Sequence, residues 1–424
     1  MVFWAVLLVT HTTARDTLPP GESPAATGEA IAADDPTRAA TRRRRTRRRW
    51  ITLIVPPIFG VLFAETLLFV AAILDGRARY FLQPGHWARF DSGLYLYIAA
   101  HGYTFIHCTG PQYPPGSWCG TAGWAPLYPG LISLLGHVGL SLPVGGMVLS
   151  FLFAYLALQA LWVLIGPAWT FSPLCCLAFA ACFPGTIYYY ALFPISLLTF
   201  LSVVCLILFI RRQYLLAGLV GALCAWAFAT GPLIGVVLLV SAVFVARGRD
   251  FWRVTARTAG VALAGFGALL VAWQLWVGDW SAYFKTSAKY GDGLHDPITT
   301  FVTAFTGGPA AKYPLQDPNY GYDHVMAQAQ TAFVAALVIG LIVWTLRRRP
   351  VSTADRVILS YTVVVWVVPL VAGPSLSRYR LEALLVPCAA LCTRLPRTVQ
   401  VALVLISAVL AVGLASLFTN QSIT

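Results

Sequence analysis

The sequence predicts an all-α, polytopic integral membrane protein with about eleven transmembrane helices. Of its 424 residues, 58% are hydrophobic and 11% charged, against about 25% charged in a soluble domain. Long apolar runs follow one another along most of the chain, and only helices or closed barrels satisfy their own backbone in hydrocarbon. The arginines cluster beside those runs, as orientation signals do. The formal net charge of +13 is therefore not a nucleic-acid footprint.

Residues 1–10 are apolar but too short to span, and they lack the basic start and small-residue cleavage site of a signal peptide. Residues 11–41 are rich in Thr, Ala, Pro, Gly and acids, a composition that stays disordered. Seven arginines within 42–49 then stop the chain on the cytoplasmic side; phospholipid binding is a second reading of that run. Residues 1–49 are thus expected to form a disordered, basic cytoplasmic tail, and 50–424 the transmembrane domain.

The first span covers 50–74, with Glu65 near its middle. An intramembrane carboxylate is a functional suspect; a protonated or hydrogen-bonded Glu facing neighbouring helices fits equally well. With the arginines inside, 75–124 becomes the first outer loop. Four apolar blocks follow, at about 125–142, 143–165, 173–190 and 193–210, before Arg211-Arg212 returns the chain to the cytoplasm. An odd number of crossings is needed, so three are expected, and the Pro- and Gly-broken 125–142 block is the candidate for a partial one. Residues 214–246 form two spans turning at Thr230-Gly231-Pro232. Arg247, Arg249, Arg253 and Arg257 lie inside, and a span at 258–277 leads to the second outer loop, 278–324. Spans at about 325–346, 356–374, 381–394 and 398–418 complete the chain, with no inverted repeat and no soluble domain.

Seven of the nine cysteines lie in apolar segments and read as small core residues. Cys108 and Cys119 share the first loop and can pair if it faces an oxidising compartment. No metal-ligand spacing appears. Of sixteen acids, five lie in the tail and none between Asp91 and Asp250. Asp91 is distinctive because it opens a short helix. Asp91-Ser92 forms a plausible N-cap and Gly102 a stop. Leu94, Tyr97, Ile98 and His101 fall on one helical face, expected to turn inward along the membrane surface. A carboxylate at that depth can meet a water-soluble and a lipid-borne substrate together. Asp91 as a mere cap is the alternative.

Arg89-Phe90-Asp91-Ser92, with Tyr95-Leu96, Ile98-Ala99 and His101-Gly102-Tyr103, resembles the first-loop signature of the phosphatidylinositol-glycan class V mannosyltransferase family, with Phe90 where that family has Trp. Ala125-Pro126-Leu127-Tyr128-Pro129 resembles its Phe-Pro-Leu-Tyr-Pro element, and Ser377-Arg378-Tyr379 with Pro387 its late Arg-Tyr element. Tyr190-Ala191-Leu192-Phe193 matches half of a Tyr-Ser-Glu element and lacks the Glu. The family belongs to the GT-C glycosyltransferases, polytopic enzymes that use polyprenyl-phosphate sugars. The resemblance implies a GT-C fold with short surface helices in the first outer loop. It also implies a base role for Asp91 and substrate-binding roles for the motif residues Arg89, Tyr95, His101 and Tyr103. His101 also fits a packing role on the helix face. One carboxylate suffices for inversion, since the phosphate leaving group is already anionic; a glycosidase normally uses two.

The chain's three lysines, Lys285, Lys289 and Lys312, all lie in the second outer loop, against the positive-inside bias. Lys285 and Lys289, together with Arg378 and Arg380 flanking Tyr379, are the candidate contacts for a polyprenyl phosphate, a role that suits the arginine fork. Ordinary headgroup contact is the bland alternative. The expected partners are membrane lipids, a polyprenyl-phosphate sugar as donor substrate and a glycolipid or envelope glycan as acceptor. No cofactor is implied by the residues, and metal dependence stays open. The expected function is inverting transfer of a sugar, mannose by the resemblance, on the non-cytoplasmic side. Twenty-six arginines against three lysines point to a GC-rich genome and a bacterial plasma membrane. The rival readings are transfer of another sugar, a transporter or flippase of lipid-linked sugars, and an inactive scaffold. Transporters show internal repeats and a mid-membrane polar site, whereas here the polar residues gather in two loops.

Overall fold

The computed structural model describes residues 36–109, 113, 115–288, 293–306, 320–348, 350–372 and 378–420. One compact unit ends at Thr52 and a second begins at Leu53. Residues 1–35 of the expected tail lie outside the described residues. The arginine run is helical rather than disordered, because helix α1 covers Pro36–Leu74. Once a span has nucleated a helix, Ala and Arg extend it at little cost.

The chain is all-α and polytopic. After α1, the first loop carries α2 (Pro84–Trp87), α3 (Ser92–His101) and a two-stranded antiparallel ribbon, β1 (Phe105–His107) with β2 (Trp118–Gly120). A Cys108–Cys119 disulfide closes the ribbon. Only glycine fits at Gly120: its φ is +108°, and a Cβ there would meet the Thr104 carbonyl oxygen at 2.3 Å. Then come α4 (Leu127–His137), α5 (Leu142–Ile165), α6 (Phe171–Ala181), α7 (Ile187–Tyr190), α8 (Ile195–Ile210), α9 (Tyr214–Ala227) and α10 (Leu233–Val245). Helix α11 (Gly248–Thr255) runs through a π-helical turn, Ala256–Gly260, into α12 (Val261–Val277). The second loop carries α13 (Ala282–Ala288) and α14 (Pro297–Thr306). It is followed by α15 (Tyr320–Arg347), α16 (Thr353–Ala372), α17 (Arg378–Ala383), α18 (Ala389–Cys392) and α19 (Arg397–Thr419).

Among the described residues six helices are long and apolar enough to cross a membrane: Trp50–Leu74, α5, Gly248–Val277, Gln328–Arg347, α16 and α19. Four shorter apolar helices, α6, α8, α9 and α10, accompany them. The 125–142 block yields only the 11-residue α4, the partial block that its prolines and glycines predict. Two other expected spans are interrupted, each at a proline or glycine. The 173–190 block breaks at Pro184-Gly185 between α6 and α7. The expected span at 381–394 is α17, a 3₁₀ turn at Val386–Cys388 and α18, because Pro387 has no N–H to continue a helix.

Small residues let helices approach closely where hydrocarbon gives no hydrophobic drive. A Cβ on Gly218 of α9 would meet the Arg257 carbonyl oxygen of the π turn at 2.4 Å, and one on Gly265 of α12 would meet Ala222 at 2.3 Å. Proline in a span leaves a carbonyl unsatisfied, and another helix must supply the donor. Pro57 cannot bond the Leu53 carbonyl four residues back, and Gln159 Nε2 of α5 donates to it at 3.0 Å. The two loops meet: Ala122, Trp273, Ala282 and Leu269 form one cluster with Tyr103 and Tyr283 packed against it.

Candidate functional site

The surface helix α3 positions Asp91 in an unexpected way. Phe90 sits at φ +50°, a left-handed conformation that bulky residues rarely adopt, and its ring packs on Phe418 of α19 at 5.4 Å. Asp91 occupies the N-cap position, but its carboxylate makes no capping hydrogen bond; Ser92 Oγ instead accepts from the Arg89 amide at 3.2 Å. The Asp91 Oδ2 atom pairs with Nη1 of Arg380, 289 residues away. The mere-cap reading of Asp91 is therefore set aside. Arg380 is 7% exposed and Asp91 28%, so solvent reaches the carboxylate and not the guanidinium behind it. Among the described residues nothing donates to Oδ1 of Asp91.

Arg380 also lies over the Phe193 ring at 5.1 Å. Burial, the largest single influence, lowers its pKa; the Asp91 carboxylate together with Tyr188 and Tyr95 outweighs it, and the net shift is upward. Phe193 is in edge contact with Tyr95 at 6.1 Å, and Tyr95 with Tyr128 at 5.6 Å. The Tyr128 hydroxyl donates to the Gly146 carbonyl at 3.0 Å and shares a 2.7 Å hydrogen bond with Ser150 Oγ. Three of the sequence elements singled out above, around Asp91, Tyr128 and Phe193, are thus linked through ring contacts, and Arg380, which follows the Arg378-Tyr379 element, joins them at Asp91 and Phe193. Glu382, two residues on, is buried and accepts from Gln330 Nε2 at 2.9 Å; the same nitrogen donates to the Tyr379 carbonyl at 3.1 Å.

The other predicted site residues divide. Tyr95 is 1% exposed and cannot touch a substrate; it is a packing residue that fixes α3. The inward face of α3 is Ser92, Tyr95 and Ile98, not the Leu94–Tyr97–Ile98–His101 stripe, because the large Tyr95 ring finds aromatic partners on two other elements. His101 is exposed, stacks on Tyr97 at 4.7 Å and meets the Tyr97 carbonyl oxygen at 3.3 Å, so it serves its own helix. Tyr103 is partly buried, donates to the Trp124 carbonyl at 3.0 Å and stacks on Trp276 at 5.5 Å. Lys285 is not a free phosphate contact: it pairs with Asp279 and lies over the Trp118 ring at 5.6 Å. Lys289 and Lys312 lie outside the described residues, as does the side chain of Arg378.

Arg89 keeps a place at the site. Its Nε atom is buried and has no hydrogen-bond partner among the described residues. Burial, then the neighbouring Arg77 guanidinium, hold its pKa below the usual arginine range. His86 is buried against Phe81 and Trp87. Its pKa is lowered from 6.5 to about 4 by burial, then by Arg89 and Arg77. Arg77 donates to the Thr419 carbonyl, and Asp75 accepts from Ser416 Oγ at 2.6 Å and Thr419 Oγ1 at 2.7 Å. The first loop is thereby tied to the end of α19. These partners were missed in the sequence because each contact spans over 300 residues. Among the described residues no group of three His, Cys, Asp or Glu side chains could hold a metal ion.

Beside the far end of α3 lies an open groove of about 800 Å³, lined by Ile98, Tyr103, Leu131, Trp226, Leu275 and Trp276. It is bounded by the surface helix, α4, α9 and α12. Its walls are apolar and aromatic, suited to a hydrocarbon chain. No family model matches the sequence, and no curated protein matches it.

Proposed function

We propose that this membrane protein is an inverting glycosyltransferase of GT-C type. It takes a sugar, mannose by the motif resemblance, from a polyprenyl phosphate and places it on a glycolipid or envelope acceptor. The site is at the outer face of a bacterial plasma membrane. The observation that carries this reading is the Asp91–Arg380 pair, tied through Phe193 to the Tyr95 and Tyr128 rings of the motif elements. In the proposed reaction Asp91 Oδ1 accepts the acceptor hydroxyl's proton as the new glycosidic bond forms. The sugar–phosphate C–O bond breaks and the electron pair leaves on the polyprenyl phosphate. Arg380 aims the carboxylate, Arg89 and Arg77 offer positive charge to the phosphate, and the groove beside α3 has room for a lipid chain.

The test is lipid and glycan profiling of a deletion strain, complemented with wild type or Asp91→Asn at matched expression. The expected result is a lost glycoconjugate that wild type restores and Asp91→Asn does not. An unchanged profile in the deletion strain removes the transferase reading; restoration by Asp91→Asn removes Asp91 as the base.

A further inference from the structure

Beside the Asp91–Arg380 pair stands a tyrosine that the proposed reaction does not use. Tyr188, in the four-residue α7, is 1% exposed. Its ring makes edge contacts with Phe193 at 5.9 Å and Phe418 at 5.6 Å. Phe193 lies under the Arg380 guanidinium, and Phe418 packs on Phe90, the neighbour of Asp91. Tyr188 therefore shares one aromatic cluster with the residues that hold the pair. The turn before it is pressed against α17: a Cβ on Gly185 would meet Ala383 Cβ at 2.8 Å and the Tyr379 carbonyl oxygen at 3.3 Å.

The Tyr188 hydroxyl is buried and has no hydrogen-bond partner among the described residues. It lies within electrostatic reach of Arg380 and Asp91. Phenylalanine would make the same ring contacts without a stranded oxygen, and an unpartnered buried hydroxyl is costly. A phenolic oxygen can accept a hydrogen bond, whereas a guanidinium can only donate.

The geometry points to Tyr188 as a positioning residue: its hydroxyl oxygen is the reserve acceptor for the Arg380 guanidinium when the Asp91 carboxylate loses its charge. This deepens the transferase reading and rests on it for its timing. In that reaction Asp91 takes the acceptor's proton, which cancels the negative charge facing a guanidinium only 7% exposed. A buried charge left without its partner is strongly destabilising. Glu382, the other acid nearby, is already engaged by Gln330 Nε2 at 2.9 Å. A small turn of the guanidinium toward Tyr188 keeps it hydrogen-bonded until the proton leaves Asp91.

The test is a cycle of melting temperatures on purified full-length protein in detergent, with Asp91→Asn standing in for the uncharged carboxylate. In the wild-type background Tyr188→Phe removes an idle hydroxyl and should raise the melting temperature by about 2 °C. In the Asp91→Asn background the hydroxyl is engaged, and the same change should lower the melting temperature by about as much. Adding Arg380→Met to that background should abolish the fall. A structural tyrosine gives the same sign in every background, and that result overturns the proposal. So does a fall in the wild-type background, or a fall that persists with Arg380→Met. Asp91→Ala supplies the uncharged background should the Asn variant not fold. The cycle reads no transfer, so its failure removes the role of Tyr188 alone, while an unchanged glycoconjugate profile in the deletion strain removes the transferase reading.

Discussion

Asp91–Arg380 and Asp279–Lys285 are both carboxylate–cation pairs outside the long spans. The first joins residues 289 apart in sequence and its cation is 7% exposed; the second joins residues six apart and its cation is 43% exposed. In the exposed pair either partner returns to water at little cost, and such pairs contribute roughly 0.2–1 kcal/mol. In the buried pair, losing the carboxylate strands a guanidinium that water cannot reach. The same chemistry is thus a local turn-stabilising contact in one loop and a structural commitment in the other. Asp279 also accepts from Ser281 Oγ at 2.6 Å. Among the described residues Asp91 keeps one oxygen without a donor, which a purely structural salt bridge does not require.

That contrast can be broken most sharply through activity. Asp91→Asn should lower transfer about a hundred- to ten-thousand-fold, the usual cost of a lost general base, while Lys285→Ala leaves it within about two-fold of wild type. Both are measured on purified, monodisperse protein.

Stability gives the next largest effect. Removing one member of a buried pair costs about 3–5 kcal/mol, and water at Asp91 places this case near the low end. Asp91→Asn should therefore melt well below wild type, and adding Arg380→Met should recover much of the loss. Activity should not recover with it. A double variant that regains both would make Asp91 structural.

His86 supplies a pH test of the same loop. Its folded pKa of about 4 lies below the 6.5 of the free side chain. Between those values the unfolded chain holds a proton that the folded protein refuses. Stability is therefore full above about pH 6.5, falls as pH is lowered through the window and levels off below about 4, by at most about 3 kcal/mol. His86→Phe, which keeps the aromatic packing and removes the buried unpartnered Nδ1, should flatten that part of the curve. Melting profiles of both proteins from pH 4 to 8 would show it; parallel profiles would exclude His86 as the cause. The smallest effect belongs to Lys285→Ala, a stability change below about 1 kcal/mol that shrinks further with added salt.

Hydropathy made the membrane class and the long spans legible, because a run such as 397–419 has one structural solution in lipid. Its limits lie where backbone chemistry overrides hydropathy: Pro387 and Pro184 break apolar blocks that a sliding window reads as continuous. The site was half legible. Asp91 and Arg380 were each identifiable as charged residues beside aromatic motifs, but nothing local links positions 289 apart. Tyr95 was misread because α3 is apolar on most sides, so ten residues of periodicity do not say which side turns inward; the packing of Tyr128 and Phe193 decides it.

The hydrogen bond from Gln159 to the Leu53 carbonyl bears on how the protein is built. The first span enters the bilayer with a carbonyl that its own helix cannot satisfy, and the donor is 106 residues further along the chain. Synthesis must reach α5 before that carbonyl is closed, so α1 is held over as an unfinished helix while the whole first loop is made. A Gln159→Leu chain would insert its spans and yet leave α1 and α5 without the polar latch that sets their register.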